Sequence, residues 1–214
     1  MHTNSRKTGI LRLRHLREVT EAKAEEMDAL RHRFERLADP ASAPRVVSSY
    51  NLFQTPPELA ARIAGMFPAF GRTLEPSAGI GRLYRAVRNR GGGVTVVLVE
   101  QNADCARELY AATESDPAAT LIVGDFLAMD AARLGGLFDS IIMNPPFHMR
   151  DDVRHILHAL TLLAPGGMLV SVCAASDHRR KAFLPLGTEW LDLPAGTFRS
   201  EGTSVATALV TFRR

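Results

Sequence analysis

The stretch Asp139–Arg150, DSIIMNPPFHMR, contains the feature that decides how the rest of the chain is interpreted. Its apolar run Ile141–Met143 predicts a buried β-strand. The run stops abruptly at Asn144–Phe147, where an Asn is followed by two prolines and a Phe. Asn and Pro are common in turns that merely end a strand, so this corner is either such a turn or part of a reaction site. The segments around it distinguish the two.

From residue 46 onward, segments that are typical of strands alternate with segments that are typical of helices. The strand-like segments are RTLEP (72–76), VTVVLVE (94–100), ATLIVGD (119–125), FDSIIMN (138–144), MLVSVCA (168–174), EWLDLP (189–194) and SVATALVTFRR (204–214). This succession predicts an α/β fold with a Rossmann-like, seven-stranded, mostly parallel sheet and helices on both faces. The last two strands are too close together for a helical crossover, so we expect an antiparallel C-terminal hairpin.

Composition restricts the class of protein further. The 214 residues are 46% hydrophobic and 23% charged, which fits one domain with an appendage. Cys105 and Cys173 lie in a predicted helix and a predicted buried strand, a pattern that indicates reduced thiols rather than a disulfide or a zinc site. No apolar run approaches the ~18 residues of a membrane span, and no signal peptide is evident. We therefore expect a cytoplasmic protein that does not associate with membranes.

Residues 1–45 differ from the remainder of the chain. Leu13–Leu37 contains no Gly or Pro, and its apolar residues recur at helical spacing. In residues 1–45, Lys and Arg exceed Asp and Glu by three, which equals the formal net charge of +3 of the whole chain. We predict an N-terminal amphipathic helical extension, 1–45, followed by an α/β domain, 46–214. The extension would pack on the core, form a homodimer or partner contact, or act as a basic arm on a nucleic acid.

Ligands bind such sheets at the carboxyl ends of the strands. The first strand ends in EPSAGIGRL, Glu75–Leu83, in which Gly79 and Gly81 let the backbone pass close to a ligand. Tyr84 occupies the place of the third glycine of a G-x-G-x-x-G pattern, so the glycines alone are weak evidence of a nucleotide site. A carboxylate at Glu75 would repel a pyrophosphate and suits an ammonium or sulfonium group.

Two further strand ends carry acids. Glu100 is suited to bind ribose hydroxyls, although, taken alone, it better fits an acid at a helix N-terminus. Asp125 can accept a hydrogen bond from an exocyclic amine, while Phe126 offers a flat apolar face. Together with the glycine loop, these residues predict a pocket for a cationic adenosine derivative.

In this order of motifs the sequence resembles the class I S-adenosylmethionine-dependent methyltransferases. NPPF resembles the catalytic motif of their amino-methyltransferase branch, and FQTPPELAARIA, 53–64, resembles a segment of the DNA adenine-N6 enzymes. The tail LPAGTFRSEGTSVATALVTFRR, 193–214, is similar to that of small phage- and plasmid-type members of this branch. The resemblance implies catalysis by Asn144, Pro145, Pro146 and Phe147. It implies binding of S-adenosylmethionine, without a metal, by Phe53, Gln54, Thr55, Pro56, Glu75, Pro76, Ser77, Gly79, Gly81, Glu100, Gln101, Asp125, Phe126 and Asn144.

The chemistry of the motif fits transfer to an amine. The Asn144 side-chain oxygen and the Pro145 carbonyl can accept the two N–H bonds of an exocyclic amine, and accepting carbonyls stabilise positive charge that develops on nitrogen. Prolines fix φ and so hold these acceptors still, while Phe147 can stack on the base.

Four substrates remain open. We expect methylation of adenine N6 in DNA, the alternatives being guanine N2 or adenine N6 in RNA, and glutamine N5 in protein. A non-catalytic interaction protein that binds the cofactor is a fifth possibility. The chain has no insertion of the size of a DNA target-recognition domain, and NPPFH also resembles the ribosomal-RNA guanine-N2 enzymes.

Basic residues near the motif are candidate substrate contacts. These are His148 and a run predicted to lie in the loop after the fifth strand, namely Arg179, Arg180 and Lys181; a plain solvated loop is equally compatible with that run. His155 and His158 do not complete a zinc pattern with the neighbouring acids, so we interpret them as solvated or substrate-facing.

Overall fold

A computed structural model of the chain describes residues 53–214. The predicted extension 1–45, with its proposed homodimer, partner or nucleic-acid contacts, lies outside the described residues. The described chain folds around a seven-stranded sheet, whose strands are β1 (Phe70–Glu75), β2 (Gly93–Glu100), β3 (Ala119–Val123), β4 (Phe138–Met143), β5 (Leu163–Ala174), β6 (Glu189–Asp192) and β7 (Thr207–Arg213). The strand order is β3-β2-β1-β4-β5-β7-β6.

Strand direction confirms the predicted topology. Strands β1 to β5 pair in parallel, β7 is antiparallel to β5, and β6 pairs antiparallel with β7 at the edge of the sheet. The C-terminal hairpin is therefore confirmed, with its second strand inserted between β5 and β6. The sheet is the Rossmann-like architecture that the alternating sequence pattern predicts.

The described residues form five α-helices, of which the first precedes β1 and the other four connect strands. They are α1 (Pro57–Gly65), α2 (Arg82–Asn89), α3 (Ala103–Thr113), α4 (Asp151–Thr161) and α5 (Asp177–Phe183). Short 3₁₀ turns cover Phe126–Ala128, His148–Arg150, Leu184–Leu186 and Arg199–Glu201. Two of the helices begin at a side-chain cap: Asn102 accepts from the backbone N–H groups of the first turn of α3, and Ser176 does so for α5.

The helices bury apolar residues on both faces of the sheet, as predicted. Residues from α1, α2 and α3 pack on one face, together with Val96 and Leu98 of β2. Residues from α4, α5 and the segment 126–134 pack on the other face, together with Val97 and Val99 of the same strand. This division follows from the period of two along a strand, which sends alternate side chains to opposite faces.

Two local predictions were wrong. The apolar residues of DVRHILHALTLLAPGG, 152–167, recur at helical spacing as far as Leu163, which predicts one helix over this segment. The helix instead ends at Thr161, and Leu163 opens β5, where it pairs with Phe138 of β4. The run Arg179–Lys181 was expected in a loop but lies in α5, because Ser176 and Asp177 provide a helix cap and a favourable first-turn acid.

The order of the strands positions the site. Strands β1 and β4 are neighbours in the sheet, yet the chain proceeds from β1 outward to β2 and β3 and from β4 outward to β5. The connections on either side of this point therefore run in opposite directions, which opens a crevice at the carboxyl ends of β1 and β4. Those two ends carry Glu75 and Asn144.

Candidate active site

A cavity of about 420 Å³ occupies the crevice at the carboxyl ends of β1, β2 and β4. Its walls come from segments that are far apart in the sequence. It is lined by Phe53, Gln54, Thr55, Glu75, Pro76, Ser77, Ala78, Gly79, Arg82, Leu83, Glu100, Gln101, Asn102, Gly124, Phe126, Asn144, Pro146 and His155. Residues that were predicted to bind a cofactor and residues that were predicted to catalyse the reaction thus border one cavity.

The loop between β1 and α2 requires glycine at two positions, because each has a positive φ and leaves no room for a Cβ. Gly79 has φ +53°, and a Cβ there would lie 2.8 Å from Nε2 of Gln54. Gly81, the N-cap of α2, has φ +87°, and its Cβ would lie 2.7 Å from Cδ1 of Leu109. Both φ values are strained for residues with a side chain. The glycines therefore let the loop approach the segment before α1 and pack closely on α3.

Glu75, the last residue of β1, is 1% exposed. Oε2 of its carboxylate has no hydrogen-bond partner among the described residues. Burial raises the pKa of this carboxyl well above its ordinary value, and the neighbouring Glu100 raises it further. A buried, partly unsatisfied acid at the cavity wall provides a site for a cation or a hydrogen-bond donor.

Glu100, at the end of β2, accepts hydrogen bonds from the backbone of two segments that line the cavity. Its Oε2 accepts from the backbone N–H of Gly79 at 2.6 Å, and its Oε1 accepts from that of Asn102 at 2.7 Å. A carboxylate oxygen can accept more than one hydrogen bond. The Glu100 carboxylate is therefore held in place by the backbone and keeps acceptor capacity toward the cavity that it lines.

Asn144 extends β4 into the cavity and is oriented by the segment before α1. Its Nδ2 donates to the carbonyl oxygen of Phe53 at 2.8 Å. Because that carbonyl can only accept, this bond fixes which end of the amide is which, and Oδ1 remains available as an acceptor. Pro146 also borders the cavity, Pro145 is buried, and Phe147 packs against the core beneath α1–α3.

In the turn after β3, Phe126 faces the cavity and Asp125 does not. Phe126 is buried and reaches the cavity wall. The side chain of Asp125 is exposed, and its Oδ1 accepts from the backbone N–H of Leu127 at 2.9 Å, which caps the 3₁₀ turn. Asp125 itself does not line the cavity, although both of its neighbours, Gly124 and Phe126, do.

His155 and His158 were predicted to be solvated or substrate-facing, and both are partly buried. The His155 ring lines the cavity, lies 3.3 Å from Oγ of Ser77 through Nδ1, and is 5.7 Å from the Phe126 ring between centroids. Burial lowers the pKa of His155, which favours the neutral ring. Nε2 of His158 lies 2.7 Å from the carbonyl oxygen of Met129. Both histidines sit on the inner face of α4, where helical spacing places residues three apart together.

Of the predicted substrate contacts, two are exposed and two form ion pairs within the protein. His148 and Lys181 are exposed, so they remain accessible to a substrate. Arg180 pairs with Asp192 through Nη2 at 2.7 Å on the surface. Arg179 was expected on the rim but points inward, where its Nε lies 2.6 Å from Oδ2 of the fully buried Asp152.

Most of the predicted cofactor residues border the cavity; Pro56, Gly81 and Asp125 do not. Pro56 instead precedes α1, and Gly81 caps α2. The predicted cofactor and catalytic residues did not include six residues that line the cavity, namely Ala78, Arg82, Leu83, Asn102, Gly124 and His155. Arg82, Leu83 and Asn102 sit at helix starts beside predicted strand ends, a signal that could have identified them.

Within residues 53–214, no three or more His, Cys, Asp or Glu side chains are grouped in a way that could hold a metal ion. In the same range, no helix has the length and apolar character needed to cross a membrane.

Comparison with known proteins assigns the chain to a family. A family profile described as the methyltransferase small domain matches residues 59–185, and the chain belongs to that family. Membership implies S-adenosylmethionine as the methyl donor. A search of curated proteins gave no match.

Solved structures of methyltransferases share the fold at low sequence identity. An RNA methyltransferase candidate from Pyrococcus horikoshii has a TM-score of 0.58 at 17% identity, over 76% of this chain and 87% of that one. The modification subunit of a candidate type I restriction enzyme from Vibrio vulnificus has a TM-score of 0.63 at 14% identity, over 89% of this chain and 50% of that one. The N-methyltransferase NodS from Bradyrhizobium japonicum has a TM-score of 0.57 at 15% identity, over 74% and 93%.

Proposed function

We propose that the protein is an S-adenosylmethionine-dependent N-methyltransferase that acts on an exocyclic amino group of a nucleic-acid base, first of all N6 of adenine in DNA. The observation that carries the proposal is the Asn144 amide, whose Nδ2 is held by the Phe53 carbonyl at 2.8 Å. The remaining acceptor, Oδ1, belongs to a residue that borders the same cavity as Glu75 and Glu100.

The cavity suits the cofactor for a reason independent of the family. The buried Oε2 of Glu75 lacks a partner among the described residues, and a methionine ammonium would satisfy it. Glu100 would accept from the ribose hydroxyls with the acceptor capacity left by its two backbone bonds. Phe126 and His155 would border the adenine.

When bound, S-adenosylmethionine supplies a methyl group that is activated by its sulfonium. Asn144 Oδ1 and the Pro145 carbonyl would accept the two N–H bonds of the target amine and direct its lone pair toward that methyl group. The target nitrogen would bond to the methyl carbon as the carbon–sulfur bond breaks and S-adenosylhomocysteine leaves, and the methylated nitrogen would then lose one proton to solvent. The two acceptors also stabilise the positive charge that grows on the nitrogen during transfer. Phe147 would stack on the base, and a base in a duplex would have to be flipped out of the stack.

A labelling experiment tests the substrate. The protein is incubated with methyl-labelled S-adenosylmethionine and separate pools of DNA, RNA and protein, and the methylated products are hydrolysed and identified. We expect N6-methyladenine in DNA. The exposed His148 directly after the motif favours RNA as the second candidate, which label in RNA guanine or adenine would support. Label in protein alone would refute the nucleic-acid proposal.

The variant Asn144→Ala tests the catalytic role. In enzymes, removal of one hydrogen-bonding group that stabilises charge in the transition state lowers kcat by about 10²- to 10³-fold. We expect this loss with little change in the Kd for S-adenosylhomocysteine, measured by calorimetry. His148→Ala serves as a neighbouring control that should keep cofactor affinity. An Asn144→Ala enzyme with wild-type kcat would show that Asn144 does not act on the amine.

A further inference from the structure

A buried ion pair lies directly behind the motif. The Asp152 side chain, in the first turn of α4, is 0% exposed, and that of Arg179 in α5 is 13% exposed. Nε of Arg179 donates to Oδ2 of Asp152 at 2.6 Å, and Nη2 donates to Oδ1 at 3.0 Å. The backbone N–H of Ala174, at the end of β5, also donates to Oδ2 at 3.2 Å. The Asp152 carboxylate therefore joins α4 to α5, through a bidentate bond with the planar arginine fork, and to the end of β5.

The same guanidinium reaches the motif itself. Nη2 of Arg179 donates to the carbonyl oxygen of Phe147 at 3.2 Å. Phe147 is the last residue of the segment Asn144–Phe147, which we refer to as the NPPF loop. Arg179 thus connects this loop to the buried carboxylate of Asp152 through one rigid group.

The backbone that follows the NPPF loop is strained at two residues. Met149 and Arg150 have φ values of +45° and +68°, in the left-handed region that residues with side chains rarely adopt. Strain of this kind persists only where the surroundings determine the conformation. Arg179 bonds the carbonyl of Phe147, two residues before Met149. This bond holds the end of the NPPF loop in place, so the strained turn cannot relax by shifting the loop.

We infer that Asp152 and Arg179 are positioning residues for the methyl transfer, which hold the NPPF loop and with it the Asn144 and Pro145 acceptors. This inference rests on the proposed function. A buried ion pair is weak evidence of a stabilising role, since apolar residues often replace such pairs without loss of stability. The third bond, to the motif carbonyl, is what gives this pair a role beyond stability.

The variant Arg179→Lys separates the two roles. Lysine keeps a cation next to Asp152, so the buried carboxylate stays compensated, but its single ammonium lacks the planar fork that reaches both Asp152 and Phe147. Arg180→Lys is the matched control, because Arg180 is the adjacent residue of α5 and pairs with Asp192 on the surface. Asp152→Asn is a second variant that preserves side-chain shape and weakens the anchor of Arg179.

Kinetics and cofactor binding provide one readout. For Arg179→Lys and Asp152→Asn we expect kcat on the substrate identified by labelling to fall about 10- to 100-fold, the scale of a small misplacement of reacting groups. KM and the Kd for S-adenosylhomocysteine should change by less than about twofold, since neither residue lines the cavity. Wild-type kcat in both variants would overturn the inference, as would a loss of kcat matched by an equal loss of cofactor affinity.

Methyl NMR provides a readout that does not depend on activity. Met143 and Met149 flank the NPPF loop, and Met66 follows α1 as a remote reference. In protein labelled with ¹³C-methyl methionine, Arg179→Lys should shift or broaden the Met143 and Met149 resonances and leave that of Met66 unchanged, whereas Arg180→Lys should leave all three unchanged. If the wild-type protein methylates none of the pools, the proposed function fails. Unshifted Met143 and Met149 resonances would then independently refute the positioning role.

Discussion

Glu75→Gln should change stability and cofactor binding in opposite directions. The Glu75 side chain is 1% exposed, and its Oε2 has no partner among the described residues. Glutamine has nearly the same shape but no charge, so the substitution removes the cost of a buried carboxylate while it also removes the charge proposed to bind the methionine ammonium.

The stability effect depends on pH. Burial raises the folded-state pKa of Glu75 well above its ordinary value of 4.5, so above pH 4.5 the folded protein holds this proton more tightly than the unfolded chain. The contribution of Glu75 to the free energy of unfolding is therefore fully present below pH 4.5 and is lost as the pH rises through the folded pKa. Urea unfolding followed by circular dichroism from pH 5 to 8 should show the Gln variant gaining stability relative to the wild type as the pH increases.

The binding effect follows from the type of bond that is lost. A hydrogen bond to a charged group contributes about 1.5–3 kcal/mol, which corresponds to about a 10- to 150-fold increase in the Kd for S-adenosylhomocysteine in Glu75→Gln. Methylthioadenosine lacks the methionine ammonium, so its Kd should be the same for wild type and variant. Equal loss of both ligands would place the effect elsewhere in the cavity. Unchanged affinity for S-adenosylhomocysteine, or a stability difference that does not vary with pH, would refute the reasoning.

The remaining predictions concern the glycine loop and the thiols. Gly79→Ala places a methyl group 2.8 Å from Nε2 of Gln54 at φ +53°; the left-handed backbone alone costs about 1–2 kcal/mol of unfolding free energy, and calorimetry should show weaker cofactor binding. Gly65→Ala, at the last residue of α1, meets nothing within 4 Å and has no positive φ, so it should instead stabilise the protein by about 0.4–1 kcal/mol; equal effects of both variants would contradict the steric account. Cys105 and Cys173 are buried, and burial raises the pKa of the Cys105 thiol to about 11 and that of Cys173 further. Iodoacetamide at pH 8 should therefore label both only after unfolding in urea, and rapid labelling of the folded protein, measured by mass spectrometry, would refute this.

The strands were predictable because their signal is local. VTVVLVE contains enough β-branched and apolar residues to indicate a strand buried on both faces, and β2 has alternate residues in the cores on the two sides of the sheet. The end of α4 was not predictable in the same way. Leu163 continues the apolar helical pattern, and only its pairing with Phe138 of β4 assigns it to a strand.

Part of the cavity was also accessible from sequence. In a mostly parallel sheet, residues that follow successive strands meet at one edge, so Glu75, Glu100 and Asn144 were expected together without knowledge of any contact. Asp125 shows the limit of this rule, because its position at a strand end is correct while its side chain caps the next turn instead of lining the cavity.

The sequence by itself determined the sheet, its order of motifs and the chemistry at its carboxyl edge, because these depend on periodicity and on the types of residue at strand ends. Only the tertiary structure decided which side chains turn into the site. His155 was expected to be solvated or substrate-facing, and Arg179 was expected in a loop on the rim of the site. Their orientation depends on partners distant in the chain: Ser77 is 78 positions from His155, and Asp152 is 27 from Arg179. A polar side chain follows the partner that satisfies it after burial, and that partner is set by the packing of α4 and α5 on the sheet rather than by any neighbouring residue in the sequence.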